Sequence, residues 1–558
     1  MILKTVLLVS SIIASALAQE VTIKIKNGEV KGRKDTTYSQ KEFYAFQQIP
    51  YAQPPVGSLR FQPPVAVEPW DGVLDATENN KLCYQMGTTT VTQTQTEDCL
   101  YVNVYTPVEP GTNAKLPVMY YIYGGGFLTG HPLFQYYGPQ YFMEQDVVVV
   151  AVSYRIGPFG FLSTGDTVLP GNMGLKDQSM GLKWVQENIR YFGGDPDKVT
   201  IFGLSAGGAS VTLQMLSKQS QGLFRGVISE SGSSLCPWAY QRGYKAVAYN
   251  MATYLDSSFN TSATSQELLT FLQSKTPEQL LDATNTFPWD IGRDQIVQGF
   301  MFAPVVEPDH EGAFLTQRMY DAVAAGGASP VPLMIGIMSE EQLQRAEDWE
   351  GLMYQLQQYD LRPEALVNDN MHIVNNVTKA VIGKRIKQIY TTEQFQDDVV
   401  SAIKYFSDTS FSRPIIHHAK LHSQFNDVFF YQFSFHGDQI TYYNATVPGC
   451  GNVTHGEDNA YLWGYNNNGN IEQWGTARDI LTTKRYVTLF ANFAKNLNPT
   501  PEESELFQNV IWPTVSADNY QYLDINDDLT IQVDPKGDHY KEWVEVYETL
   551  AVKPYDTY

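Results

Sequence analysis

The sequence predicts an α/β protein built on a large, mostly parallel central sheet flanked by helices. Three observations carry that expectation. First, short runs of apolar, β-branched and aromatic residues recur along the chain and read as buried strands, at 116–123, 147–154, 199–203, 227–229, 331–337 and 428–434. Second, helix-forming stretches lie between many of them, for example 177–191 and 208–218. Strands that alternate with helices pair in parallel, and a strand covered on both faces is apolar throughout. Third, the chain has 558 residues, 43% of them hydrophobic, which is enough for a large core. A prior of ~150 residues per domain would allow several domains. No linker, repeat or low-complexity tract divides the chain, so residues 19–558 are expected to form one domain. The polar, Thr/Gln-rich segment 88–96 reads as an exposed loop.

The N-terminus reads as a secretory signal over residues 1–18. Lys4 supplies positive charge, 6–14 is mostly apolar, and Ala16-Leu17-Ala18 is a small-x-small cleavage site before Gln19. The apolar run is shorter than the ~20 residues of a spanning helix, and no later run is apolar for that long. The last residues, 554–558, match neither a retention signal nor a lipid-anchor tail. A secreted, extracellular protein without a membrane anchor is therefore expected. Four cysteines suit an oxidising compartment. Four glycosylation sequons begin at Asn260, Asn376, Asn444 and Asn452, and a secreted chain would carry glycans on those that are exposed. The net charge of −22 repels phosphates and excludes a nucleic-acid partner.

The most informative stretch is 199–208. It contains Gly203-Leu204-Ser205-Ala206-Gly207 after a β-branched run and before a helix-forming segment. A serine on so tight a strand-to-helix turn takes strained backbone angles, and its hydroxyl is pushed into the open at the top of the sheet. The helix N-terminus behind it favours developing negative charge. Upstream, Gly124-Gly125-Gly126-Phe127 follows the strand ending at Tyr123. Backbone N–H groups of such a turn can reach a substrate oxygen without side chains in the way. With the N–H after the nucleophile they would hold an oxyanion, and one such donor is typically worth ~3 kcal/mol of barrier.

At this point the sequence resembles the type-B carboxylesterase and cholinesterase family, in details the secreted insect esterases. The matching stretches include Tyr51-Ala52-Gln53-Pro54-Pro55-Val56-Gly57 with Arg60-Phe61, Glu97-Asp98-Cys99-Leu100-Tyr101, the triple glycine, and Ser153-Tyr154-Arg155. They continue with Gly193-Gly194-Asp195-Pro196, the serine turn, Ser229-Glu230-Ser231-Gly232-Ser233 and His455-Gly456-Glu457-Asp458. The resemblance implies the α/β-hydrolase fold and a serine carboxylesterase acting on a small-molecule ester as a monomer or homodimer. It implies a triad in the chain order nucleophile, acid, histidine. The nucleophile is then Ser205 and the histidine His455. The acid is Glu341 by family spacing from Gly336, with Glu340 as the competitor, since Gln342 stands where the family has glycine. The oxyanion donors would be Gly125, Gly126 and Ala206. That chemistry needs no cofactor or metal. His417, His418 and His422 could mimic a metal site, but no companion carboxylate or cysteine spacing supports one, and they read as surface residues.

The resemblance also implies a disulfide between Cys83 and Cys99, which enclose fifteen residues. Cys236 and Cys450 lie in segments that should both approach the site, and a second disulfide is expected between them. Arg60 with Glu97, and Arg155 with Asp177, resemble internal ion pairs. Ser231 resembles a residue supporting the triad acid. Trp238 resembles an acyl-pocket residue, with a buried core tryptophan as the other reading. The Cys83–Cys99 loop lacks the tryptophan by which cholinesterases hold a quaternary ammonium. Leu204 stands where cholinesterases often have glutamate and juvenile hormone esterases usually have glutamine. The implied substrates are uncharged aliphatic or aromatic esters. Two rivals stand beside this reading: an adhesion protein that keeps the fold without catalysis, and a binding protein that is acylated once and released slowly.

Overall fold

Valine, isoleucine and aromatic side chains that fit a pleated surface build the centre of the molecule. The computed structural model describes residues 20–86, 92–285, 294–438, 445–463, 475–516 and 519–558. The signal-like residues 1–18, Asn444 and residues 88–91 of the polar segment lie outside the described residues. In chain order the strands are β1 (Glu20–Lys24), β2 (Glu29–Thr36), β3 (Glu42–Pro50), β4 (Val73–Asp75), β5 (Lys81–Cys83), β6 (Thr94–Thr96), β7 (Tyr101–Thr106), β8 (Leu116–Ile122), β9 (Val148–Val152), β10 (Gly194–Leu204), β11 (Gly226–Glu230), β12 (Leu333–Met338), β13 (Val428–Phe433), β14 (Gln521–Ile525) and β15 (Leu529–Val533). Thirteen of them form one sheet in the order β1-β2-β3-β7-β9-β8-β10-β11-β12-β13-β14-β15, with β4 paired to β2.

The stretch from β9 through β8, β10, β11, β12 and β13 to β14 is parallel throughout. Strands β9, β11 and β12 are buried at every position, as the apolar runs predict. The flank from β1 to β9 is antiparallel along the path, and β15 turns back on β14. Helices Met173–Asn188, Ala206–Leu216 and Ala477–Asn496 pack against β10. The molecule is thus an α/β-hydrolase: a large, centrally parallel sheet flanked by helices.

Register decides where chemistry can occur. Gly203 pairs with Ile122, Leu204 with Glu230, and Glu230 with Gly336. The carboxyl ends of β8, β10, β11 and β12 therefore lie side by side. They deliver the triple glycine, Ser205, Ser231 and the 339–342 turn to one edge, where open parallel sheets form sites.

Three expectations are corrected. Part of the polar segment is not loop, because Thr94–Thr96 forms β6 and pairs with β5 beside the Cys83–Cys99 disulfide. The second disulfide is absent: Cys236 and Cys450 are both free. Cys236 is fully buried in the turn before Pro237–Ala239. Cys450 is half-buried, and its Sγ faces the Val400 carbonyl at 3.9 Å. A disulfide needs both a short Cα separation and facing Cβ vectors, which two segments of one site need not supply. Burial pushes the Cys236 thiol up and the Cys450 thiol up to about 12, which disfavours the thiolate of each. Finally, the histidines of helix Arg413–His422 are not surface residues. His418 and His422 are buried, bonded to the Ser233 hydroxyl at 2.7 Å and the Val331 carbonyl at 3.2 Å, and His417 stacks on Tyr558 at 3.5 Å.

Candidate active site

Ser205 sits between β10 and helix Ala206–Leu216 with φ 60° and ψ −121°. A non-glycine residue held there costs on the order of 1–3 kcal/mol, which the surroundings must offset. They do so by close contact. The Ser205 N–H donates to the Glu230 carbonyl at 2.8 Å, and the Ser205 carbonyl accepts from Ala209 N–H at 2.8 Å. A methyl group on Gly207 would run into the Ile122 carbonyl, so only glycine lets the helix begin this close to β8. Ser205 itself is half-buried, at the open edge of the sheet.

The triple glycine faces it. A methyl group on Gly124 would lie 3.0 Å from the Ser205 Cβ. Gly125 and Gly126 take φ of 112° and 63°, which turns the chain sharply after β8. Gly125 is exposed and Gly126 half-buried. Among the described residues no acceptor takes either N–H. The Ala206 N–H is the first of its helix and has no partner within it.

The histidine and acid come from two loops. His455 Nδ1 lies 2.8 Å from Glu341 Oε2. Glu341 Oε1 accepts from the Ser231 hydroxyl at 2.7 Å and the Met338 N–H at 2.9 Å. His455 N–H donates to the Glu341 carbonyl at 3.2 Å, so backbone and side chain hold the pair together. A carboxylate that already accepts two bonds is an acceptor, so Nδ1 carries the proton and Nε2 is left with its lone pair. Glu341 is fully buried, while the His455 side chain keeps 18% exposure. Gly456 brings this loop to Leu204, where a methyl group would lie 3.5 Å from Leu204 Cδ2. Glu340 points elsewhere: its carboxylate accepts from Gly451 N–H at 3.3 Å. Gln342 has φ −116°, a conformation that needs no glycine, and its side-chain carbonyl accepts from Arg345 at 2.6 Å.

Around these groups lies an aromatic wall. Trp238 is buried, and its indole N–H donates to the Ser410 carbonyl at 2.8 Å. Its ring lies 5.9 Å from Phe300, 5.4 Å from Phe411 and 6.4 Å from Phe127. Phe411 reaches His455, with ring centroids 4.4 Å apart, and Gly126 borders Phe300. Sequence reasoning had singled out neither Phe300 nor Phe411. No local pattern distinguishes them from core aromatics.

The two ion pairs are present and structural. Arg60 binds Glu97 through two bonds of 2.5 and 2.6 Å, and Arg155 binds Asp177 at 2.8 and 2.7 Å inside the core. Asn260, Asn376 and Asn452 are exposed. No helix among the described residues is long and apolar enough to cross a membrane.

An α/β sheet with a strained serine at its carboxyl edge, a histidine–carboxylate pair and free N–H groups defines a class, the serine hydrolases of this fold. Comparison with known proteins narrows it. Residues 19–543 match the model of the carboxylesterase family. A carboxylic ester hydrolase of Bombus ignitus is 32% identical over 93% of this chain and 92% of its own. A juvenile hormone esterase of Tribolium castaneum is 31% identical over 90% of this chain and 87% of its own. The crystal structure of juvenile hormone esterase from Manduca sexta, with OTFP covalently attached, superposes with a TM-score of 0.83 at 28% identity, covering 95% of this chain and all of that one. The chain belongs to the carboxylesterase family, and its activity is carboxylic ester hydrolysis.

Proposed function

We propose that this chain is a secreted esterase of uncharged carboxylic esters that works through an acyl-enzyme on Ser205. The observation that carries the reading is the strained Ser205 turn facing unpaired glycine N–H groups on one sheet edge, with the His455–Glu341 pair beside Leu204. His455 Nε2 takes the Ser205 proton as Oγ attacks the ester carbonyl. Glu341 keeps the proton on Nδ1 and balances the imidazolium that forms. The N–H groups of Gly125, Gly126 and Ala206 hold the oxyanion. His455 then gives its proton to the departing alcohol, and a water activated in the same way releases the acid. The covalent adduct in the Manduca sexta relative fits a nucleophilic route.

Leu204 and Trp238, with Phe300 and Phe411, form the substrate pocket in this reading. Its walls are apolar, and no carboxylate replaces Leu204 to draw a cation. Residues 19–558 act as one domain in this reading, as a monomer or homodimer, with glycans at Asn260, Asn376, Asn444 and Asn452. The decisive experiment follows p-nitrophenyl acetate and longer acyl esters through burst and steady state, with Ser205→Ala as control. Turnover in the native protein and a loss of about 10⁴-fold or more in the variant are expected. A burst without turnover would show a ligand-sequestering protein instead, and no burst in folded protein would revive the adhesion reading.

A further inference from the structure

Behind the triad lie two carboxyl groups that the mechanism does not use. Glu230 ends β11 and is fully buried, and among the described residues neither of its carboxyl oxygens has a hydrogen-bond partner. Asp458 follows His455 by three residues and is also fully buried. Its Oδ2 accepts from the Tyr486 hydroxyl at 2.8 Å, while Oδ1 has no side-chain or backbone partner within hydrogen-bond geometry among the described residues. Three buried carboxyl oxygens without a protein partner call for an explanation, since buried polar groups are otherwise satisfied.

The surroundings are accounted for element by element. Tyr486 comes from helix Ala477–Asn496, and its hydroxyl also bonds that of Tyr431 on β13 at 3.0 Å. Tyr121 on β8 lies within electrostatic reach of Glu230, and Glu341 and His455 lie within reach of Asp458. No lysine or arginine among the described residues pairs with either carboxyl group. Two buried carboxylates without a cation cannot both stay ionised, because each charge has lost its water and repels the other. Burial, with Asp458's charge added, raises Glu230 well above the usual carboxyl range. Burial lifts Asp458 only to about 6, because the Tyr486 hydroxyl stabilises its anion.

We propose that Glu230 and Asp458 form a carboxyl pair that holds one proton, on Glu230, and keeps a single fixed negative charge, on Asp458, beside Glu341 and His455. The pair consists of positioning residues, and the idea rests on the triad reading given above. It is wired to the triad from both sides. Glu230 precedes Ser231, whose hydroxyl bonds Glu341, and the Glu230 carbonyl holds the Ser205 N–H. Asp458 sits in the turn that begins at His455. Its single charge favours the imidazolium formed in each half-reaction. A second charge would have no counterion at all.

Two measurements test the pair. The first needs no variant to fold: infrared spectroscopy of the native protein at neutral pH should show a protonated-carboxyl C=O band that shifts in D2O. The band should be missing from Glu230→Gln, and so stand out in the difference against it, and persist in Asp458→Asn. The second is the pH profile of kcat/KM. Glu230→Gln keeps the charge on Asp458 and should leave the acid limb in place. Asp458→Asn leaves only a neutral Glu230, so the limb should move down by ~1 pH unit, with kcat reduced roughly tenfold. No such band in the native protein, or an acid limb unmoved in a folded Asp458→Asn, would overturn the proposal. A native protein that shows the band but cleaves no ester would sink the triad reading and leave the protonated Glu230 standing.

Discussion

Glu340 and Glu341 are adjacent, chemically identical and both buried, yet the backbone sends them different ways. Glu341 turns to Ser231, Met338 and His455, whereas Glu340 turns away from them to Gly451. Burial raises the Glu340 carboxyl, partly offset by Lys536. Glu341→Gln keeps the shape but can present an amide N–H to Nδ1, which would leave the proton on Nε2 and the base unable to act. Its kcat is expected to fall by about 10⁴-fold with KM little changed, the size seen when a triad acid becomes its amide. Glu340→Gln should stay within about threefold of the native kcat and instead lose stability through the Gly451 loop. Steady-state kinetics of both variants decide this, and equal losses would mean the acid is misassigned. Family spacing from Gly336 had pointed to Glu341, but only the fold shows why Gln342 is tolerated: its φ is negative and its side chain has room beside Arg345.

Helices Val399–Ser407 and Arg413–His422 are joined by a single π turn, Asp408–Ser412. Such a turn inserts one extra residue, and π turns concentrate at functional sites. Here it aims Phe411 at His455 and exposes the Ser410 carbonyl to Trp238. Phe411→Ala should open the acyl side of the pocket. The ratio of kcat/KM for hexanoate over acetate p-nitrophenyl esters should then rise by roughly 10-fold or more, since a methylene in an apolar pocket is worth ~1–3 kcal/mol. A uniform loss across chain lengths would show that Phe411 only supports His455. No sequence pattern announces a π turn, because it differs from an α-helix by one hydrogen-bond step. The central strands were legible for the opposite reason: β8 to β13 are covered on both faces and must be apolar. Strand β2, Glu-Val-Lys-Gly-Arg-Lys-Asp-Thr, lies on the antiparallel flank with most positions reached by water, so its charges hid it. The serine turn and the histidine loop were legible because their chemistry is packed into a few consecutive residues. The Cys236–Cys450 pairing failed because it rested on two distant segments, and no local motif encodes the long-range geometry a disulfide needs.

The whole molecule keeps titrating groups inside a large core, and they set opposing demands on pH. Burial lowers His418 from its ordinary value of 6.5 to about 3, and neighbouring His422 adds to the shift. Above 6.5 the group is neutral both folded and unfolded, and its contribution to stability is complete. As pH falls below 6.5 the unfolded chain binds a proton that the native state refuses until about 3. Stability is therefore lost across that window, by up to about 1.4 kcal/mol per pH unit. His422 is lowered too and acts with the same sign. Glu230 and Asp458 act oppositely. Their folded values lie above the unfolded ones, so the native state holds protons that the unfolded chain gives up. Their contribution is present at low pH and lost as pH rises. Between 4.5 and 6.5 the two kinds of group pull against each other. His418→Gln isolates one side of the balance. The amide can keep a bond to Ser233 but does not titrate. At pH 7 the variant should be less stable by roughly 1–3 kcal/mol, from the altered bond and packing. Its stability should then fall less steeply than that of the native protein as pH drops from 6.5 to 4.5, so the two urea-unfolding curves against pH converge. Parallel curves would mean that His418 takes up its proton in the folded state as readily as in water, and that the buried Ser233 hydroxyl accommodates the charged ring.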